Sequence, residues 1–106
     1  IEQLMTDVET AVNMILLAGK TPIIRGFHNF AVTTLMTVEK IAINTAANTA
    51  LQTKAAALGV PFMDTHSVTF NGVSDIAVDG LHPTAEYHQR LCAFQASRLA
   101  EIAQSI

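Results

Sequence analysis

The sequence predicts an α/β domain built around a small parallel sheet. Long amphipathic helical patterns alternate along the chain with short apolar runs that are typical of buried strands. The composition agrees, because 106 residues with 50% apolar and 14% charged residues suit one compact domain over residues 1–106. Strands separated by long helices favour parallel pairing with right-handed crossovers.

The first helix and the first strand follow from residues 4–24. Apolar residues recur at i, i+3, i+4 and i+7 over residues 4–16, which predicts an amphipathic helix. Gly19 then occupies a position where a left-handed conformation can end that helix. Residues 21–24 form a short apolar run that predicts a buried strand with Pro22 at its first position. Residues 26–30 predict a loop.

The second helix and the second strand follow in the same way. A mainly apolar stripe predicts a helix over residues 37–58, ended by Gly59. Its small residues at 46–50 permit close approach to a sheet. The run at 60–64 predicts the second strand.

The last part of the chain is predicted to be a long loop followed by a helix. Residues 65–81 show no sustained period and contain the turn pairs Asn71-Gly72 and Asp79-Gly80. Pro83 suits the first position of the final helix. The apolar stripe of that helix comprises Tyr87, Leu91, Phe94, Leu99, Ile102 and Ile106.

The net charge and the shortness of the apolar stretches argue against a nucleic-acid-binding protein and a membrane-spanning protein. A net charge of −3 with only six Lys and Arg leaves no basic stripe, so we expect no nucleic-acid partner. The apolar stretches are far shorter than the roughly 20 residues that cross a bilayer, so we expect no membrane span. The single cysteine, Cys92, cannot form an internal disulfide, and no signal peptide is visible, so the compartment stays open.

The four histidines invite a metal interpretation that their spacing does not favour. No pair has the i, i+4 spacing of a helical zinc site, so we expect no metal. Asp64 and His66 could supply two ligands, but such an aspartate more often satisfies backbone donors in a turn. His28 and His66 are expected to be ordinary polar loop residues at the carboxyl edge of the sheet, His88 to be solvated, and Asp75 to cap a turn.

Two short strands make a very small sheet for three helices to cover. Parallel sheets are normally wider than this and buried on both faces. The sequence also begins almost directly inside a helical pattern at Ile1. We therefore expect further strands upstream of Ile1 or on a partner chain, and self-association of the isolated chain through exposed apolar faces.

The segment with the most chemical information is Asp-Gly-Leu-His-Pro at residues 79–83. It lies in the loop that enters the last helix, and loops near the carboxyl ends of open α/β sheets commonly carry ligands and catalysis. The carboxylate of Asp79 could accept a hydrogen bond from one ring nitrogen of His82 and leave the other as a general base. An Asx turn beside a histidine near a helix N-terminus would give the same spacing without chemistry.

This segment resembles the last sequence block of the SGNH (GDSL) serine hydrolases. The landmarks before it also occur in that family's order: a helix ending in Leu-Ala-Gly-Lys, a strand at 22–24, an alanine-rich helix after Asn44, and Leu-Gly-Val-Pro leading into a strand. The resemblance covers essentially the whole chain, as the C-terminal half of the family's domain. It implies a three-layer α/β/α flavodoxin-like fold and hydrolysis of esters or acetylated carbohydrates without a cofactor.

Carried over by position, the resemblance makes His82 the general base and Asp79 its orienting residue in a catalytic triad. The Gly-Asp-Ser block and the blocks that complete the oxyanion hole do not occur in these 106 residues. The run Gly-Phe-His-Asn at 26–29 is not a substitute, because it follows the penultimate strand and Phe30 stands where an aspartate would be.

The resemblance therefore implies that an N-terminal half of the same domain, possibly a separate chain, holds the serine. These residues alone are expected to be inactive. The alternative is a non-catalytic binding or structural α/β piece that keeps the Asp79–His82 motif only as a turn.

Overall fold

The computed structural model describes all 106 residues and is an α/β structure with a two-stranded parallel sheet. Its elements follow the predicted order: α1 (Glu2–Leu17), β1 (Ile24–Arg25), α2 (Val38–Leu58), β2 (Phe62–Met63), 3₁₀ turns at Thr65–Ser67 and Gly72–Asp75, and α3 (Ala85–Ser105). The strands pair in parallel, as the sequence predicts, with Ile24 beside Phe62.

Local capping signals set the ends of the two long helices. The Thr37 hydroxyl accepts the Lys40 N–H at 3.2 Å at the start of α2, and Gly59 ends α2 with a φ of 68°. The last helix starts at Ala85, near Pro83 as predicted, but Pro83 is not its first residue. Thr84 is the N-cap, since its hydroxyl accepts the N–H of Tyr87 at 3.3 Å.

Both strands are shorter than the sequence predicts. Only a few backbone hydrogen bonds join β1 to β2. The Ile24 N–H donates to the Pro61 carbonyl at 3.0 Å, and the Gly26 N–H donates to the Met63 carbonyl at 2.9 Å. Pro22 has no N–H and cannot lengthen the ladder on its side. The sheet therefore consists of two residues in each strand.

The three helices cover both faces of this sheet. Val12 of α1, Ile24 of β1, and Leu51 and Ala55 of α2 form the buried apolar cluster on one face. On the other face, the Arg25 Nε donates to the side-chain oxygen of Gln95 in α3 at 3.3 Å. Because successive side chains of a strand point to opposite faces, α1 and α2 lie on one face and α3 on the other.

The apolar stripe of α3 is only partly buried. Tyr87, Leu91 and Ile102 are buried, as predicted, but Leu99 is 47% exposed and Ile106 is 79% exposed. At 100° per residue, Leu99 is rotated by about 80° from Leu91 and leaves the stripe. Ile106 is the C-cap and lies beyond the last helical residue.

The molecule is less compact than its length allows. The radius of gyration is 15.0 Å, against about 13 Å for a globular domain of this size. The accessible surface is 6492 Å², against about 5,800 Å² for this mass.

An apolar groove of about 310 Å³ lies between α1 and β1, and Leu4, Val8, Ile15 and Ile23 are among its lining residues. The parallel ladder uses the backbone groups of Ile24, so the N–H and C=O of Arg25 face the open edge. No helix of the chain combines the length and the apolarity needed to cross a membrane.

Candidate functional site

The loop at residues 75–84, which carries the candidate pair, is closed on itself by backbone hydrogen bonds. The Ala77 N–H donates to the His82 carbonyl at 2.8 Å, and the Thr84 N–H donates to the Asp75 carbonyl at 2.8 Å. These bonds hold the two ends of the loop side by side at the start of α3. The turn at the tip of the loop is therefore held in one position relative to α3.

Gly80 and Thr33 fix the tip of this loop. Gly80 has a φ of 75°, a left-handed conformation that glycine adopts most readily, so the predicted turn is present. The Thr33 hydroxyl donates to the Gly80 carbonyl at 2.6 Å and accepts the Met36 N–H at 3.1 Å. Thr33 could not be predicted from the sequence, because no local pattern indicates a contact across 47 residues.

The structure brings Asp79 and His82 together in the arrangement that the spacing predicts. The Asp79 Oδ2 atom lies 2.5 Å from His82 Nδ1. A carboxylate can only accept, so Nδ1 carries the proton and donates it, and Nε2 keeps its lone pair. Nε2 has no hydrogen-bond partner within the chain, and the His82 side chain is 73% exposed.

The second oxygen of Asp79 binds the backbone of the turn. Its Oδ1 accepts the N–H groups of Leu81 at 2.9 Å and His82 at 3.0 Å. The hydrogen bond from the His82 side chain, and then these two backbone bonds, lower the pKa of Asp79 from 3.8 to about 2. The carboxylate is thus ionised and is held rigidly against the imidazole.

The sequence predicts only that Asp75 caps a turn, but in the structure Asp75 also forms an ion pair. It is 4% exposed, accepts the Asn71 N–H at 2.7 Å and pairs with the Arg90 guanidinium of α3. Burial raises the pKa of Asp75, but the bonds from Asn71 and Arg90 outweigh burial and leave it below its ordinary value. Arg90 also donates to the Thr69 carbonyl at 3.2 Å, so this ion pair fastens the loop to α3.

A second group of polar contacts joins the loops that follow the two strands to the start of α3. The backbone N–H of Asn29 donates to the hydroxyl of Tyr87 at 2.8 Å, and its side-chain amide donates to the His66 carbonyl at 2.7 Å. The Asn29 carbonyl lies 2.8 Å from His28 Nδ1. Tyr87 is fully buried, and burial raises the pKa of its phenol.

His28 and His66 are more constrained than ordinary loop residues, contrary to the sequence prediction. Burial lowers the pKa of His28 despite the bond to Asn29, and the positive charges of Arg25, His82 and His66 lower it further. His66 Nδ1 is buried without a hydrogen-bond partner. The sequence shows that both residues follow a strand, but it does not show which side chains pack against them.

No serine of the chain completes a triad with His82. The hydroxyls of Ser67, Ser74 and Ser105 donate to backbone carbonyls of their own segments. The fourth serine, Ser97, lies within α3, fifteen residues beyond His82, and has no hydrogen bond to it. No group of three or more His, Cys, Asp or Glu side chains gathers as metal ligands. Comparisons of the chain with protein-family models, with curated proteins and with solved structures found no match.

Proposed function

We propose that this chain supplies the general base, His82, and its orienting carboxylate, Asp79, to a serine ester hydrolase of the SGNH type. The observation that carries the proposal is the 2.5 Å contact between Asp79 Oδ2 and His82 Nδ1, which leaves an exposed Nε2 free to accept a proton. Two-thirds of a nucleophile–base–orienter relay is thus present in one short loop.

The chemistry assigned to this pair is proton transfer in two steps. Nε2 of His82 takes the proton of a serine hydroxyl while the serine oxygen attacks the ester carbonyl carbon. The imidazolium then gives that proton to the departing alcohol oxygen, and a water molecule repeats the sequence to release the acid. Asp79 keeps the imidazole in the required tautomer and stabilises its charged form. These steps need no cofactor.

The serine and the oxyanion donors are proposed to lie on an N-terminal half of the same three-layer α/β/α flavodoxin-like domain, in the same or a separate chain. The open edge of β1 supports this proposal, since the backbone groups of Arg25 face outward and can accept a further parallel strand. The apolar groove between α1 and β1 borders that edge and would be covered by such a strand. Esters or acetylated carbohydrates are the proposed substrates.

The test is hydrolysis of p-nitrophenyl acetate and of an acetylated sugar by the complete protein, with His82→Ala compared against His88→Ala. His88 is a matched control because it is exposed on α3 and its side chain forms no hydrogen bond. We expect kcat/KM to fall by about 10²–10⁴-fold in the first variant and to stay unchanged in the second. Near-normal turnover in His82→Ala would contradict the proposal.

A fluorophosphonate probe locates the nucleophile independently. Peptide mapping by mass spectrometry after labelling of the complete protein is expected to place the label on a serine outside these 106 residues. Labelling of a serine within the chain, or of no serine in the complete protein, would contradict the proposed division of the site.

The second candidate is a non-catalytic α/β piece in which the motif serves only as a turn. It is favoured by the two backbone bonds to Asp79 Oδ1, which stabilise the turn whether or not the imidazole is used. Asp79→Asn separates the two functions, because an amide oxygen can keep both backbone bonds while the amide N–H cannot replace the carboxylate. Full activity in Asp79→Asn would favour the structural role.

A further inference from the structure

We propose that Thr33, in the segment between β1 and α2, is a positioning residue for the Asp79–His82 pair. It acts through the single peptide group between Gly80 and Leu81, which lies between its hydroxyl and the Asp79 carboxylate. The inference rests on the proposed function, since it names a further residue on which the rate of the same reaction depends.

The hydroxyl of Thr33 is held within its own segment. Its oxygen accepts the N–H of Met36 at 3.1 Å and the N–H of Leu35 at 3.3 Å. The Thr33 N–H donates to the Met36 carbonyl at 3.0 Å, which closes the same turn from the backbone. A carbonyl can only accept, so the one hydroxyl proton is donated to the Gly80 carbonyl at 2.6 Å. The donor therefore has a fixed orientation toward the loop at residues 75–84.

The contact between Thr33 and Gly80 is the only hydrogen bond that reaches residues 77–82 from outside that loop. The other hydrogen bonds of residues 77–82 join groups within the segment itself. The two segments also touch here, because a Cβ on Gly80 would come to 3.0 Å from Thr33 Oγ1 and 3.2 Å from Thr33 Cβ. Removal of the hydroxyl would leave the tip of the loop without an external hydrogen bond.

The peptide group between Gly80 and Leu81 joins this contact to the carboxylate. Its carbonyl accepts the Thr33 hydroxyl, and its N–H donates to Asp79 Oδ1 at 2.9 Å. The C=O and N–H of a trans peptide lie in one plane and point in opposite directions, so the two bonds together fix that plane. A bond at the carbonyl also polarises the N–H and strengthens its donation. The other oxygen of Asp79 binds His82 Nδ1, so the orientation of the base depends on this peptide group.

The test compares Thr33→Val, which keeps the shape of the side chain and removes the hydroxyl, with Thr33→Ser, which restores the hydroxyl. Thr34→Val is the matched control, because Thr34 is exposed and its hydroxyl forms no hydrogen bond. In the complete protein acting on p-nitrophenyl acetate, we expect Thr33→Val to lower kcat about tenfold with KM unchanged, since Thr33 acts on the base and not on the substrate. Thr33→Ser should recover most of kcat, and Thr34→Val should leave it unchanged.

The ionisation of Asp79 gives a readout that a merely structural role would not move. In a ¹³C titration of the 106-residue chain, the pKa of the Asp79 carboxyl should rise from about 2 toward 3.8 in Thr33→Val, because the ionised form loses part of its hydrogen bonding. It should stay near 2 in Thr33→Ser and Thr34→Val. If Thr33→Val does not fold, Thr33→Cys replaces it, since a thiol is a weak donor and the same directions are expected.

An unchanged kcat or an unchanged Asp79 pKa in the variant without the hydroxyl would overturn the inference. So would an equal loss of kcat in Thr34→Val. The activity of His82→Ala separates this result from the proposed function. Loss of activity in His82→Ala beside a wild-type kcat in Thr33→Val would overturn the role of Thr33 alone, whereas near-normal turnover in His82→Ala would overturn both.

Discussion

The Oδ2 atom of Asp79 and the Nδ1 atom of His82 lie 2.5 Å apart, and this contact determines which nitrogen of the imidazole is free. Two further residues hold the turn that brings Asp79 and His82 together. Gly80 makes the left-handed turn between the two residues, and Thr33 binds its carbonyl. A base in a defined tautomer is therefore built from a segment of only four residues.

Replacing Asp79 by Asn is expected to reverse the tautomer of His82. The amide oxygen of the new side chain would keep the backbone bonds to Leu81 and His82, which directs its N–H toward Nδ1. Nδ1 would then accept, and the proton would move to Nε2. Long-range ¹H–¹⁵N spectra should show this exchange with little change in Tm. A loss of kcat/KM of about 10²–10⁴-fold should accompany it in the complete protein.

The pH dependence of the loop should follow the ionisation of Asp79. Its pKa is lowered from 3.8 to about 2, so its contribution to stability is complete above the unfolded value and is lost as the pH falls through about 2. A ¹³C titration of the carboxyl group should give a midpoint near 2. The Asp79→Asn variant should lose less stability than the unmodified chain as the pH falls. Its remaining loss is due to other carboxylates such as Asp75. A midpoint near 3.8 would contradict the ordered contact.

Removing Arg90 should destabilise the chain, because it leaves the buried carboxylate of Asp75 without its charged partner. We expect Arg90→Met to lower Tm by several degrees and Arg90→Lys to recover part of the loss. Asp75→Asn combined with Arg90→Met should be less harmful than Arg90→Met alone. Thermal unfolding monitored by circular dichroism measures all three, and an unchanged Tm in Arg90→Met would contradict this account.

Gly26 is required by the close approach of Asn48, whose Oδ1 accepts the Phe27 N–H at 2.9 Å. A Cβ at Gly26 would overlap that oxygen and come to 3.0 Å from Phe62 Cζ. Gly26→Ala is expected to reduce the free energy of unfolding by about 1–3 kcal/mol. Because Asn48→Ala removes the overlap, the double variant should lose less than the sum of the two single losses in urea unfolding. Strict additivity would show that the two residues do not interact.

The apolar groove beside α1 should make the isolated chain self-associate. Ile15 lines this groove, whereas Leu17 is 89% exposed and lies outside it. Ile15→Glu should therefore reduce the concentration dependence of the sedimentation coefficient more than the matched Leu17→Glu. A monomer at all concentrations for the unmodified chain would contradict the expectation.

Local signals in the sequence predict much of this structure. Thr37 and Gly59 bound α2 through contacts within one helical turn, and the Asp79–His82 spacing is also a local signal. Ala85 rather than Pro83 is the first residue of α3, because the helix starts after Thr84, whose hydroxyl caps the Tyr87 N–H.

Contacts between distant residues could not be predicted in this way. The Tyr87 hydroxyl meets Asn29 across 58 residues, and Asn48 meets Phe27 across 21. Neither pair carries a periodic or spacing signal, since each arises only when the strands and helices are packed. The SGNH assignment stays a prediction, and it depends on a Gly-Asp-Ser block that these residues do not contain.

The orientation of His82 by Asp79 is tested most directly by the long-range ¹H–¹⁵N spectrum of His82 in the unmodified chain, recorded at a pH where the imidazole is neutral. We expect a single tautomer with the proton on Nδ1, a strongly deshielded Nδ1–H resonance, and an unprotonated Nε2. A tautomer with the proton on Nε2, or the averaged shifts of a free imidazole, would show that Asp79 does not orient His82 as a base.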